Sequence, residues 1–216
     1  MSSHQFPISA IDQLRAFGSA TVYEAQGAHG ALDSGIKPIH PAMQVAGPAV
    51  TVDIRPADNL MLHYALLKVR PGDVLVVDAK GFTEAGPWGD VLTEQAMKRG
   101  VAGLVINGAV RDSRTIIELG FPVFCRALSI KSTGKNQPGQ LNVPVCIGDV
   151  RVNPGDVVVG DQDGVVIVPG RDVVQVISQS RTREEKEAVF RQRIAEGATT
   201  VELMGLEATL RKFGLD

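Results

Sequence analysis

Apolar and polar positions recur in two different rhythms along this chain, and the rhythm changes near residue 139. Before that point, short apolar strands alternate with helix-period segments. Ser9 to Phe17 and Thr21 to Gln26 read as two short helices, with Ser19 as cap of the second and Gly18 and Gly27 as stops. Gly47 to Arg55 alternates as a strand does, and Asp58 is placed to cap a helix, "NLMLHYALLKV", apolar enough all round to be buried on most sides. A turn then leads to the strand Val74 to Asp78. The glycine-rich loop "KGFTEAGPWG" precedes a helix from Asp90 to Arg99, with Leu92 and Ala96 on its inner face. The wholly apolar "AGLVIN" is the next strand; a helix from Ser113 to Leu119 and the strand "FPVFCRA" follow. After Gly139, short Val-rich strands separated by Asn-Pro-Gly-Asp and Asp-Gly turns carry hairpin chemistry. The end returns to helix, from Arg171 to about Glu196 and from Thr200 to Phe213. No Pro/Ser-rich linker interrupts the chain, so residues 1–216 are expected to form one α/β domain with a mixed sheet.

Composition narrows the function classes. With 44% hydrophobic and 21% charged residues and a net charge of −2, the chain has a normal globular balance and no basic footprint for nucleic acid. No apolar run approaches the ~20 residues that span a bilayer, and "MSSHQFPISA" lacks the basic and apolar regions of a signal peptide. A soluble, cytoplasmic protein with no membrane partner is expected. Cys125 and Cys146 lie in apolar surroundings with no CxxC pattern, and read as buried small hydrophobes. There is neither a GxGxxG nor a GxxxxGK[ST] phosphate loop, and the four histidines show no zinc spacing.

One stretch, "GDVLTEQAMKRGVAGLVINGAVRDS", places Asp90 twenty residues before Arg111-Asp112. A helix of about ten residues travels ~15 Å one way, and the strand after it returns ~18–20 Å. Both ends therefore arrive at the carboxyl edge of a right-handed β-α-β unit, where α/β proteins place ligands. Free amides at Val91 and Leu92 suit a carboxylate, and two aspartates suit a hard divalent ion such as Mg²⁺ or Mn²⁺. From spacing alone, a helix-capping aspartate and a solvated Arg-Asp ion pair remain the commoner reading of these residues.

Asp90, the twenty-residue spacer and Arg111-Asp112 together resemble the D-X20-R-D motif of the class II pyruvate aldolases that cleave 4-hydroxy-4-methyl-2-oxoglutarate and 4-carboxy-4-hydroxy-2-oxoadipate. That superfamily also contains the ribonuclease activity regulator A proteins. The resemblance extends through "TVYEAQG", "GDVLVVDAKG", "GAVRD", "PGQLNVPVCIGDVRVNPGDVVVGDQDGVVIVP" and "REEKEAVFRQRIAEG". It departs at Asn107, where the pattern has Asp. It implies an α-β-β-α sandwich similar to the phosphohistidine swivelling domain, and homotrimers or homohexamers with sites between subunits, the helices from about 171 to 216 packing at the interface. It also implies residue roles. Asp112 would hold a Mg or Mn ion directly and Asp90 through water, Arg111 would face the C2 oxygen of a small-molecule 2-oxo acid, and the Gly89 to Leu92 amides, Val91 included, would face its carboxylate. Glu24 and Asn59 would be further pocket residues. Glu187, or its neighbours Glu184 and Glu185, would reach in from another subunit. The activity implied is cleavage to pyruvate, with oxaloacetate decarboxylation alongside, in aromatic compound catabolism. The regulators typically lack the aspartate at position 90, so Asp90 points to the enzymes. A ribonuclease-binding regulator, and a Schiff-base aldolase using Lys80, are the competing readings.

Overall fold

The computed structural model describes residues 6–215; the reading of the first residues as free of a signal peptide, and His4, fall partly or wholly outside them. The strands are β1 (Lys37–Pro38), β2 (Val45–Asp53), β3 (Val74–Asp78), β4 (Gly103–Val110), β5 (Val123–Leu128), β6 (Gln140–Leu141), β7 (Val145–Ile147), β8 (Val150–Val152), β9 (Val157–Asp161) and β10 (Gly164–Val168). The main sheet runs β1-β5-β4-β3-β2-β9-β10, with β6 added to β2 and a separate β7-β8 hairpin. Strands β2 to β5 are parallel, and the hairpin β9-β10 joins β2 antiparallel. An isolated bridge from Ala31 to Val166 brings the two edges near each other, so the mixed sheet is almost closed.

Three apolar clusters define the layers. On one face of the parallel strands pack α2 (Leu60–Ala65), α3 (Asp90–Lys98) and α4 (Ser113–Leu119), through Leu62, Leu92, Ala96 and Ile116 against Leu75, Val77, Leu104 and Ile106. The opposite face, Val74, Val76, Val105 and Phe124, meets Val145, Ile147, Val152, Val158, Val165 and Ile167 from β7 to β10. Outside that second β layer lie α1 (Ile8–Ala25) and α5 (Val173–Ala195), with Leu14, Val22, Val173 and Val176 on Val157, Val159, Val166 and Val168. The order is α-β-β-α. Strands β3 and β4, buried at every residue, read as unbroken apolar runs because both of their faces are covered.

Several local expectations need correction. The expected stop at Gly18 stands: two helical segments of α1 meet there at a kink (φ 78°, ψ 165°), a conformation that glycine reaches at no steric cost. Ser19 does not cap with its own side chain. Its N–H (2.6 Å) and hydroxyl (2.7 Å) both donate to the carboxylate of Asp161, at the end of β9 in the layer on which α1 packs. The helix after Asp58 is only six residues long, and Leu60, Tyr64 and Leu67 are exposed, because one face alone meets the sheet. Strand β4 runs three residues past its expected end, through a register shift between Ile106 and Ala109. Gly108 lies in that shift, where a Cβ would come within 2.8 Å of the Ala79 methyl group. Cys125 is buried, and that burial pushes its thiol up to about 11. Cys146 instead faces solvent, being the outward residue of the alternating strand β7. The last helical stretch is split into α6 (Thr200–Met204) and α7 (Glu207–Lys212) by Gly205, in the left-handed region. No described helix is long and apolar enough to cross a membrane.

Candidate active site

The carboxyl ends of β3 and β4 meet as the twenty-residue spacing requires, with Asp78 opposite Asn107 in the parallel ladder. Beyond β3, the loop to α3 is pinned by Trp88. Its ring is fully buried and stacked on Phe121 (6.1 Å between centroids), its Nε1–H donates to Thr93 Oγ1 (2.7 Å), and that hydroxyl donates to Gly89 O (3.0 Å). Beyond β4, the Arg111 N–H donates to Trp88 O (2.9 Å), so the two loops are stitched at the point where the motif residues emerge. Asp112 then adopts the left-handed conformation (φ 55°, ψ 32°) and its carbonyl starts α4. A non-glycine residue held there stores on the order of 1–3 kcal/mol. The gain is placement: the Asp112 carboxylate swings over the start of α3. Its Oδ2 accepts from Arg111 Nε (3.2 Å) and, at a long 3.5 Å, from the Asp90 N–H.

Gly89 makes this approach possible. Its backbone is extended, so the requirement is space and not φ: a Cβ there would stand 2.4 Å from Asp112 Oδ2 and 3.1 Å from Arg111 Nε. Gly89→Ala should therefore push the carboxylate and guanidinium apart, and a displacement of that size lowers activity roughly hundredfold. Thermal unfolding beside a rate measurement checks it. Parent-like activity from a normally folded Gly89→Ala protein would mean that the close approach has no role.

These residues border a cavity of about 190 Å³, lined by Asn59, His63, Gly89, Asp90, Val91, Leu92, Arg111 and Lys135, among others. Asn59 is buried; its Nδ2 donates to Pro87 O (2.9 Å), while Oδ1 has no partner. An acceptor left in that state costs about 1–3 kcal/mol unless something supplies a donor. His63 Nε2 is likewise buried and unpartnered, and burial, then the charge of Lys135, holds the ring below its ordinary pKa and therefore neutral at pH 7. A larger groove of about 640 Å³, bordered by Tyr23, His29, Arg151 and Arg171, gathers none of the motif residues.

The donor set suits a hard divalent ion. The Asp112 carboxylate lies beside Gly89 and the Asp90 amide, the Asp90 carboxylate folds back on the Val91 amide, both side chains are open to solvent, and no thiol is in the cavity lining. Among the described residues no group of three or more His, Cys, Asp or Glu converges. A Mg²⁺ or Mn²⁺ ion held by these two residues would have to keep most of its coordination as water, which those ions do readily.

The model of the RraA-like family, Aldolase/RraA, matches residues 19–167. The chain belongs to this family. It is 35% identical over 208 residues to a Halalkalibacterium halodurans protein named "Putative 4-hydroxy-4-methyl-2-oxoglutarate aldolase", spanning 96% of this chain and 97% of that one. Among solved structures it resembles Streptomyces coelicolor RraAS2, described as an unusual member of the RNase ES inhibitor RraA protein family (TM-score 0.76, 31% identity, 86% of this chain and 98% of that one). It also resembles an uncharacterized protein from Pseudomonas syringae pv. tomato (TM-score 0.82, 28% identity, 92% and 98%).

Within this RraA-like chain the expected residues fall into two groups. Asn59, Gly89, Asp90, Val91, Leu92 and Arg111 line one cavity, with Asp112 against Gly89. Glu24 and Glu187 lie elsewhere, on the α1-α5 face, where Arg183 pairs with both (2.9 Å to Glu187) and Arg191 pairs with Glu187 (3.2 Å). Glu184 and Glu185 are exposed and take no part in that cluster. The amide of Val91 is occupied by Asp90's own carboxylate (2.7 Å). Sequence reasoning missed Trp88, His63 and Lys135. His63 stands four residues after Asn59, one turn along the same short helix, and that spacing was the available signal.

Asn107 and Lys80 belong to a polar ladder across the strand ends. Asn107 Nδ2 donates to Asp78 Oδ1 (2.9 Å) while its Oδ1 accepts from Arg126 Nε (2.5 Å). An ionised aspartate could not make the first of these bonds. Lys80 Nζ contacts Asp53 (2.8 Å) and Asp78 (2.7 Å). Burial alone would lower its pKa, but hydrogen bonds to the two carboxylates and their charges outweigh that and raise it. An ammonium held in this way is a poor nucleophile.

Proposed function

We propose that this RraA-like protein is a cytoplasmic class II pyruvate aldolase, cleaving a 4-hydroxy-2-oxo di- or tricarboxylic acid such as 4-hydroxy-4-methyl-2-oxoglutarate into pyruvate and a second keto acid. The observation that carries the reading is the convergence of Asp90, Arg111 and Asp112 on Gly89, beside the unpartnered acceptor of Asn59. A divalent ion, held by Asp112 directly and by Asp90 through water, would supply positive charge near the C2 oxygen, as class II chemistry requires. The chain's own groups supply the rest. Arg111 presents guanidinium donors where negative charge grows on that oxygen as the C3–C4 bond breaks. Such donors act through preorganisation, and here the Nε bond to Asp112 and the backbone tie to Trp88 hold the side chain before substrate arrives. In this reading the C4 hydroxyl donates a hydrogen bond to the otherwise unpartnered Asn59 Oδ1, and its proton leaves to a water held by the acidic residues. The bonding pair passes to C2–C3 as pyruvate enolate, and protonation at C3 releases pyruvate. Loss of CO₂ from C3 of oxaloacetate gives the same enolate, so decarboxylation is expected as a side activity.

The test is pyruvate release from several 4-hydroxy-2-oxo acids, with and without Mg²⁺ or Mn²⁺. Exhaustive EDTA treatment should abolish it, and borohydride with pyruvate should leave the enzyme active and Lys80 unmodified. Full activity without divalent ions, or pyruvate trapped on Lys80, would replace this reading with a Schiff-base mechanism. The likeness to RraAS2 favours a second reading, a regulator that binds a ribonuclease without catalysis. Release of no pyruvate from any acid, with tight ribonuclease binding, would establish it; neither nucleic acid nor membrane is a partner in our reading.

The separation of Glu24 and Glu187 from the cavity supports a composite site in a homotrimer or homohexamer, with a neighbour's acids completing it. From Arg181 to the end of α5 no residue is buried, and α6 and α7 bury none either, so the C-terminal helices are available to a second subunit. Mixing inactive Arg111→Ala and Glu187→Ala subunits should then restore part of the activity. Failure to do so in verified mixed oligomers would remove Glu187 from the neighbouring site.

A further inference from the structure

Asp58 is 1% exposed and lies outside the cavity, yet it joins two of the cavity's walls. Its Oδ1 accepts from the Leu60 N–H (2.9 Å) at the start of α2, the element that carries Asn59 and His63. Its Oδ2 accepts from the N–H groups of Asn136 (2.9 Å) and Gln137 (3.1 Å), the residues that follow Lys135. Backbone bonds close the same junction: Gly134 N–H to Ala57 O (2.8 Å) and Asn59 N–H to Gly134 O (3.0 Å). The loop at 134–137 has no helix or strand of its own, so this carboxylate is the chief side-chain tie that sets where Lys135 stands. Burial alone would raise the Asp58 pKa, but the three amides and the charge of Lys135 outweigh it and leave the group below the usual carboxylate range, an acceptor at all working pH.

Lys135 and Arg111 are the two cations bordering the cavity. Arg111 already faces Asp112, whereas the Lys135 ammonium, though its charge is felt at Asp58, makes no direct ion pair among the described residues. His63, held neutral, adds no competing charge beside it.

We propose that Asp58 is a positioning residue for substrate selection: by tying loop 134–137 to α2 it sets the Lys135 ammonium to receive the substrate carboxylate remote from the 2-oxo acid end. This deepens, and rests on, the assignment of the cavity to a 2-oxo acid. A substrate with a second carboxylate would engage both cations, and a monocarboxylate only Arg111.

The probes are 2-oxoglutarate, which carries a remote carboxylate and no cleavable C4 hydroxyl, and pyruvate, which lacks it. Binding of both is measured by calorimetry with Mg²⁺ present, for the parent, Asp58→Asn, Lys135→Gln and the double variant. The parent should prefer 2-oxoglutarate, and each single variant should lose about tenfold of that preference. The double variant should lose no more than either single one, because Asp58 acts through Lys135. Losses that add, or pyruvate and 2-oxoglutarate weakening equally, would overturn the proposal, as would a parent that binds no 2-oxoglutarate. Should Asp58→Asn not fold, Gly134→Ala replaces it: its Cβ would stand 3.0 Å from Asp58 Oδ2, crowding the tie while keeping every charge. An unchanged preference in that variant would equally overturn the proposal. A parent that binds 2-oxoglutarate but releases no pyruvate from any acid would instead remove the aldolase reading and leave the Asp58 link standing.

Discussion

Arg111→Lys is expected to lower kcat by a factor on the order of 10² or more while metal binding stays near that of the parent. The replacement retains a positive charge, so a role limited to neutralising Asp112 would survive it. What is lost is the planar fork. In the parent, Nε is committed to Asp112 Oδ2 (3.2 Å), leaving the terminal nitrogens for a second acceptor at a fixed angle. A lysine ammonium can satisfy Asp112 or a developing oxyanion, but it has no rigid geometry that serves both. Because the interaction strengthens as charge grows on the C2 oxygen, the deficit should fall on kcat more than on KM. Steady-state kinetics on the same acids, with a metal titration beside them, separates the two. A lysine variant with the parent's kcat would reduce Arg111 to a partner of Asp112 in an ordinary surface ion pair.

Asp112→Ala should fail differently, with metal affinity weakened by at least about 10²-fold and activity partly rescued at high Mn²⁺. The change has a second effect that has to be kept apart. Asp112 sits at φ 55°, and alanine in that region costs about 1–2 kcal/mol more than a residue with a short polar side chain. Asp112→Asn tolerates the left-handed backbone and removes only the charge, so it should unfold like the parent while still losing the metal. Asp90→Ala should lie between Arg111→Lys and Asp112→Ala in its metal dependence, since a carboxylate acting through water orients the hydration shell without carrying a direct bond. Retention of both metal affinity and rate in Asp112→Asn would mean that no ion is held at this edge.

The core of the site was legible because it depends on local arithmetic. One helix out and one strand back return Asp90 and Arg111-Asp112 to the same sheet edge, and β3 and β4 form where their apolar runs indicated, with β4 running on past its expected end. Gly89 was visible as a loop residue, but its need to be glycine arises from Asp112, which reaches it only through an unusual backbone conformation. What tertiary structure alone decided are contacts between segments far apart in sequence. Lys135 borders the cavity because Asp58 binds amides some eighty residues away, a junction with no periodicity or spacing to announce it. Ser19 gave up its expected cap role because Asp161, from a distant hairpin, offered both of its donors a partly buried carboxylate. Lys80 changed from a candidate nucleophile to a locked cation once two strand ends brought Asp53 and Asp78 to it. Local propensity sets which residues can emerge at an edge; packing sets which of them face one another, because burial makes each unpaired donor or acceptor costly enough to seek a partner anywhere along the chain.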